Sequence, residues 1–297
     1  WEGSSHPPKL LPGGYLMRRG VGESSDFGQE DWDGNVVWKL ENSGQHHDFQ
    51  REGNPVGYYV PGMDPLVDRG KTLILSRKLV RNPEISQELL ADDYIYEVTW
   101  DGKIVWEWLW TDHLDELGFS QSARNTIYRH PKWENVQGVT ADDWLHINSL
   151  SYVGPNKWYD AGDERFHPDN VIWDSREANI MGITDRKTSK IVWKVGPDYT
   201  ATPALRNLGQ IIGLHHAHVI PKGLPGAGNI LVFDNGGRGG YGPPNPGAPS
   251  GKFNALRWYS RILEFNPVTL ELVWEYRAGR VGYRNEKFFS YDASNAQ

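Results

Sequence analysis

The chain has 297 residues, a formal net charge of −7 and no cysteine, which excludes disulfides, thiolate metal sites and a cysteine nucleophile. Lys and Arg are dispersed and form no basic face, so nucleic acid is not an expected partner. No apolar run approaches the roughly 18 residues of a membrane-spanning helix, so no membrane partner is expected either.

Composition points to short strands: 14 Trp, 14 Tyr, 33 Gly and 19 Pro describe aromatic strands punctuated by turns, and the fold class read from them is all-β. In chain order a fragment, GGYLMRR (13 to 19), precedes DGNVVWKL (33 to 40), the first copy of a unit that recurs as DGKIVWEW (101 to 108), TSKIVWKV (188 to 195) and TLELVWEY (269 to 276). Trp38, Trp106, Trp193 and Trp274 anchor the four copies. Each copy follows a turn and an alternating run, as in YIYEVTWDGKIVWEW (94 to 108) and ILEFNPVTLELVWEY (262 to 276), the pattern of a β-hairpin. Upstream of three hairpins stand the apolar strands KTLILSRK (71 to 78), NVIWDSRE (170 to 177) and NILVFDNG (229 to 236). Before each of those lies a segment with histidine: QHHDFQ (45 to 50), DDWLHINSLSYV (142 to 153) and LHHAHVIP (214 to 221).

Four strands per repeat with a polar first strand describe a β-propeller whose innermost strands line a central channel. A β-sandwich with coincidental Val-Trp pairs is the competing architecture. The expectation is a single propeller domain over 1–297, lacking its first strands and its last blade or blades. The first repeat offers only outer strands plus a fragment, and FFSYDASNAQ (288 to 297) reads as the beginning of a further inner strand. A further segment or a second chain is then needed to complete the ring, since open blade edges leave strands unpaired. The start at Trp1 reads as processed or trimmed.

The HxN run in DDWLHINSLSYV, the HHA…FDNG pairing across 215 to 236, and SRILEFNPVTLELVWEY (260 to 276) resemble the arylsulfate sulfotransferase family, from about residue 13 onward. The resemblance implies a six-bladed propeller, a periplasmic or secreted location, and transfer of a sulfuryl group from a phenolic sulfate to a phenolic acceptor through a sulfated histidine, with no cofactor. Carried over by position, it implies His146 for the HxN histidine, His215 or His216 for the next inner strand, and Arg238 for the arginine after FDNG. The family's sulfated histidine lies in a later blade, whereas no histidine follows His218 here. Either that group lies outside these residues, or the propeller is non-catalytic and its aromatic loops bind a partner or glycan.

The residues suit the chemistry on their own terms. Neutral imidazole, with an ordinary pKa of about 6.5, is a competent nucleophile near neutral pH. A transferring sulfuryl group spreads charge over its oxygens and calls for fixed cations, for which Arg176, Arg238 and Arg261 stand beside strands. A second imidazole can serve as acid and base, and His146 is the first choice. His47 and Asn148 are candidates for substrate binding; His146 and Asn148, two apart, share a strand face. Arg176 and Arg261 could instead bridge blades through carboxylates such as Glu177 and Glu264. Alternation puts His216 and His218 on one face and His215 on the other. A rival reading gathers His47, His146, His216 and His218 around a divalent metal. His113 falls in a short capped helix, and His6, His130 and His167 fall in loops with no role. GRGGYGPPNPGAPSGKFN (237 to 254) reads as a long loop near a channel mouth.

Overall fold

The computed structural model describes residues 8–22, 26–53 and 66–296, so His6 and Gln297 lie outside the described residues. Its strands assemble into four-stranded antiparallel sheets in chain order. The first sheet holds β1 (Lys9–Leu11), β2 (Tyr15–Arg19), β3 (Phe27–Glu30) and β4 (Val36–Leu40). The second holds β5 (Phe49–Arg51), β6 (Lys71–Val80), β7 (Leu90–Thr99) and β8 (Ile104–Leu109). Two helices, α1 (Leu114–Leu117) and α2 (Gln121–Arg129), lead to a hairpin of β9 (Trp133–Val136) and β10 (Val139–Asp142), which joins the second sheet where Asp142 pairs with Leu90 in parallel. The third sheet holds β11 (Ile147–Tyr152), then, after α3 (Lys157–Asp160), β12 (Val171–Ser175), β13 (Ile180–Thr184) and β14 (Ile191–Val195). After α4 (Pro203–Leu208), β15 (His215–Val219) and β16 (Ile230–Asp234) begin the fourth sheet, the hairpin β17 (Gly237–Tyr241) and β18 (Lys252–Arg257) interrupts it, and β19 (Arg261–Phe265) and β20 (Leu272–Tyr276) complete it.

Burial grades from the first strand of a sheet to the last. β5, β11 and β15 are almost wholly buried, while β4, β8 and β20 are largely exposed. β11 packs beside both β5 and β15, so the histidine-bearing first strands are innermost and the Val-Trp strands are on the rim, as the repeat pattern expects. This is the strand arrangement of propeller blades.

Apolar side chains fill the spaces between successive sheets. Phe27, Trp38 and Phe49 lie between the first and second, Trp108, Trp110, Trp144 and Trp173 between the second and third, and Phe166, Trp193 and Phe265 between the third and fourth. Burying each such side chain contributes about 1.5–3 kcal/mol. The rim tryptophans add a directional bond: Trp38 Nε1 donates to Trp100 O at 2.8 Å, Trp108 Nε1 to Ser189 O at 3.1 Å, and Trp193 Nε1 to Pro267 O at 2.8 Å. In each case the acceptor is a hairpin turn of the following sheet. Trp274 in the fourth sheet is 48% exposed.

Four expectations change. The first repeat, read as outer strands plus a fragment, forms a four-stranded sheet, because the short KLL segment before Pro12 pairs with β2. In the second sheet the donor to the next turn is Trp108; Trp106 instead lies under the Arg186 guanidinium. The 237–254 loop contains β17, which with β18 makes a hairpin against the 176–179 turn, where Gly240 N–H donates to Glu177 O at 2.7 Å. Residues 288–296 form no strand and are held beside the fourth sheet by the Ser260 N–H donating to Phe288 O at 2.8 Å and by side-chain bonds of Asn235, Ser260 and Ser294. No helix among the described residues is long and apolar enough to cross a membrane.

Candidate active site

The site lies at the starts of β5, β11 and β15, and it begins with backbone conformation. His47, His146 and His216 have φ of 49°, 51° and 54°. Left-handed backbone is costly for a residue with a Cβ, roughly 1–2 kcal/mol, and such residues cluster at functional sites. Here the same unusual conformation recurs at the inner edge of three successive sheets, where it breaks the side-chain alternation of an ordinary strand. The His47 and His146 rings meet at 4.9 Å between centroids and 65°, and those of His216 and His218 at 4.6 Å and 50°.

Behind His146 stands an ionic network built on a second inserted element. The β9–β10 hairpin brings Lys132 and Asp143 together at its base, where Asp143 N–H donates to Lys132 O at 2.7 Å. Asp143 Oδ2 accepts from His146 Nδ1 at 2.5 Å, from Lys132 Nζ at 3.1 Å and from Arg77 at 3.2 Å. Glu177 Oε1 holds Lys132 at 3.1 Å and Arg176 at 2.6 Å. Asp93 accepts the Ile147 N–H at 2.9 Å and lies 3.3 Å from His46 Nε2 and 3.6 Å from Arg77 Nε.

Three cations thus meet three carboxylates, but not symmetrically. The side chains of Arg77, Lys132 and Arg176 keep 11–20% exposure, whereas those of Asp93, Asp143 and Glu177 keep 0–1%. The accessible side of the network is therefore cationic, with its countercharge behind. Burial raises the Asp143 carboxyl, but His146, Arg77 and Lys132 outweigh it and hold the group well below the usual carboxylate range. Burial alone would lower Lys132, yet the charges of Asp143 and Glu177 raise it.

His215 is held differently. Its Nδ1 lies 3.0 Å from Gly213 O and 2.7 Å from Asn235 Oδ1. A backbone carbonyl only accepts, so Nδ1 carries the proton and Nε2 the lone pair. Burial, with smaller contributions from the nearby charges of Arg176 and His146, pushes this imidazole down to about 4. His218 is pushed down to about 3, again chiefly by burial. Both rings are neutral near pH 7.

The expected site residues separate accordingly. His47, His146, His215 and Arg176 gather at the inner edge. Asn148 joins β11 to the start of β15, donating to Leu214 O at 3.3 Å. His216 Nδ1 bonds to Ala296 O at 2.8 Å. Arg238 is exposed on β17. Arg261 is bound to Asp234 at 2.8 Å and Glu275 at 3.4 Å within the fourth sheet, so its charge is neutralised there rather than offered to a ligand, and its partner is not Glu264. The four-histidine metal set does not assemble: His47 with His146 and His216 with His218 form two ring pairs, and among the described residues no three His, Cys, Asp or Glu side chains are arranged to hold a metal ion. Sequence reasoning missed Arg77, Lys132 and Asp143. The Ser-Arg pair of KTLILSRK repeats as Ser-Arg in NVIWDSRE, and Ser76 and Ser175 donate alike to Gly44 O and Leu145 O; that register would have found Arg77.

Radially graded four-stranded blades, with histidines and cations at their inner edge, define the fold class as a β-propeller. The chain belongs to the arylsulfotransferase family: the family model Arylsulfotransferase (ASST) matches residues 66–297. No curated protein matches the chain. Among solved structures it is similar to a protein of unknown function from Bacteroides caccae, at 9% identity and a TM-score of 0.41, over 93% of this chain and 61% of that one. It is also similar to the Myceliophteria thermophila Cps50 (Swd1) beta-propeller domain, at 11% identity and a TM-score of 0.30, over 92% of this chain and 72% of that one. The chain spans less than two thirds of the length of the Bacteroides caccae protein.

Proposed function

We propose that this propeller transfers a sulfuryl group from a phenolic sulfate ester to a phenolic acceptor, with His215 as carrier in place of the later-blade histidine that the family resemblance implies, and His146 as acid and base. The observation that carries the reading is His146, pinned through Nδ1 to buried Asp143 beside two cations. Membership of the family supports the reaction class.

In the first half, the Nε2 lone pair of His215 attacks sulfur as the aryl O–S bond breaks. The electron pair leaves on the phenolate oxygen, which takes the Nε2 proton of His146, an imidazolium at the start of the cycle whose Nδ1–H stays bonded to Asp143. Arg77, Lys132 and Arg176 stabilise the charge spread over the sulfuryl oxygens. In the second half, the incoming phenol gives its proton to His146 while its oxygen forms the new O–S bond, and the N–S bond returns its electron pair to His215. No cofactor enters these steps. A periplasmic or secreted location, and completion of the ring by a further segment or a second chain, belong to the same reading.

Release of p-nitrophenol from p-nitrophenyl sulfate, dependent on added phenol and lost in His215→Ala, is the expected result. Acceptor-dependent turnover that survives His215→Ala would remove His215 as carrier.

A further inference from the structure

One carboxylate reaches three parts of the site while staying out of solvent. Asp93 stands on β7 opposite Arg77 of β6, and its side chain is 1% exposed. Its Oδ2 accepts the Ile147 N–H at 2.9 Å. Its Oδ1 lies 3.6 Å from Arg77 Nε and 3.3 Å from His46 Nε2. The same His46 nitrogen lies 3.0 Å from Ser76 O, and a carbonyl only accepts, so Nε2 carries the proton and turns it toward Asp93 as well. The His46 ring in turn meets His47 at 5.1 Å and 79°.

The bond to Ile147 has a counterpart one sheet further on. Ile147 follows His146, whose φ is 51°, and Ala217 follows His216, whose φ is 54°. The Ala217 N–H donates to Asp174 Oδ2 at 2.7 Å. Ile147 and Ala217 both belong to the first strand of a sheet, and each acceptor belongs to the sheet before it. On its other side His146 O accepts the Arg176 N–H at 3.1 Å, so the left-handed residue is clamped between two sheets. That conformation is disfavoured for a residue with a Cβ, and a buried N–H left without an acceptor is costly. The acceptor from the preceding sheet therefore decides whether the conformation holds.

We infer that Asp93 is a positioning residue for the site: through the Ile147 N–H it holds His146 in the backbone conformation that brings the imidazole to Asp143, and through its other oxygen it aligns Arg77 on that same carboxylate. The inference deepens the sulfuryl-transfer reading, on which its kinetic consequence rests. Two acceptor oxygens must face two separate groups of donors, which a carboxylate supplies and an amide does not. In Asp93→Asn either the Ile147 N–H or the Arg77 and His46 pair is left facing an amide NH2.

The His146 Nδ1–H, in its short charge-assisted bond to Asp143, gives a low-field proton resonance that His146→Ala assigns by its loss. Asp93→Asn should shift or broaden that resonance in protein that still melts cooperatively, and should lower kcat for p-nitrophenyl sulfate by about 10- to 100-fold with a smaller change in KM. A merely structural Asp93 would lower the melting temperature and leave the resonance of the folded protein where it is. Amide exchange on the unsubstituted protein needs no variant to fold, and there the Ile147 N–H should exchange slowly. An unchanged His146 resonance in Asp93→Asn, or rapid exchange at Ile147, would overturn the positioning role. A shifted resonance in Asp93→Asn, together with no aryl sulfate turnover by the unsubstituted protein, would overturn the function and keep the positioning role.

Discussion

His146 donates its Nδ1 proton to Asp143 at 2.5 Å, and Asp143 is buried among Arg77 and Lys132. The carboxylate acts on His146 in two ways: it selects the tautomer that leaves Nε2 for substrate, and it holds the ring against rotation. Asp143→Asn should therefore lower kcat by about 100-fold or more, with a smaller effect on KM. Steady-state kinetics alongside thermal melts check this; a loss of activity no larger than the loss of folded protein would assign Asp143 to the scaffold.

Arg77 and Arg261 should behave in opposite ways. Arg77 keeps 14% side-chain exposure beside His146, so on the proposed reading Arg77→Ala should raise KM for aryl sulfate. Arg261 is enclosed by Asp234 and Glu275, and Arg261→Ala should cost about 1–3 kcal/mol of stability by leaving Asp234 less satisfied, with KM unchanged. Denaturant unfolding and kinetics on both variants separate the two roles.

Stability should depend on pH with a defined sign. Burial pushes Asp92, Asp142 and Asp174 up to about 7. A carboxyl whose folded pKa is raised adds stability below its unfolded pKa and loses it as pH rises through the folded value. Each of these three lowers stability as pH rises from about 4 to about 7, while buried His215 and His218, whose pKa is lowered, raise it as pH climbs toward about 6.5, so the two sets oppose one another in the parent protein. Asp143 has the opposite sign, its contribution being present above the ordinary Asp pKa of about 3.9 and lost in stronger acid. Asp174 accepts the Ala217 N–H at 2.7 Å and the Ser149 hydroxyl between two sheets, so Asp174→Asn should remove its downward contribution and make the change in melting temperature from about pH 4 to about pH 7 more positive than in the parent protein. An Asp174→Asn curve with the same pH slope as the parent protein would contradict the assignment.

The rim tryptophans offer a test of the architecture. Trp193→Phe removes the bond to Pro267 O and should cost about 1–3 kcal/mol, whereas Trp274→Phe, at an exposed position, should stay within about 0.5 kcal/mol. Urea midpoints of the two variants give the comparison directly.

How much of this was legible follows from which physical signals are local. The Val-Trp hairpins and the first-strand histidines were readable because side-chain alternation and turn chemistry act within a few residues, and they placed His47, His146 and His215 at the inner edge. The Asp143–Lys132 pairing was not, because it depends on a hairpin inserted between β8 and β11 folding back on the second sheet. Arg261 reads the same as Arg176 along the chain; only the position of Asp234, 27 residues upstream, shows that its charge is already matched. The KLL strand at 9–11 is too short to carry a periodic signal.

The central claim is that inner-edge histidines perform sulfuryl transfer, and His146→Ala tests it most directly. Asp143 keeps Lys132 at 3.1 Å and Arg77 at 3.2 Å when the imidazole is removed, so the carboxylate remains compensated and the fold should hold. Melting temperature and turnover of p-nitrophenyl sulfate with phenol should be measured on the same preparation. The account predicts a nearly unchanged melting temperature with turnover reduced about 100-fold or more; a destabilised variant with proportionate activity would contradict it.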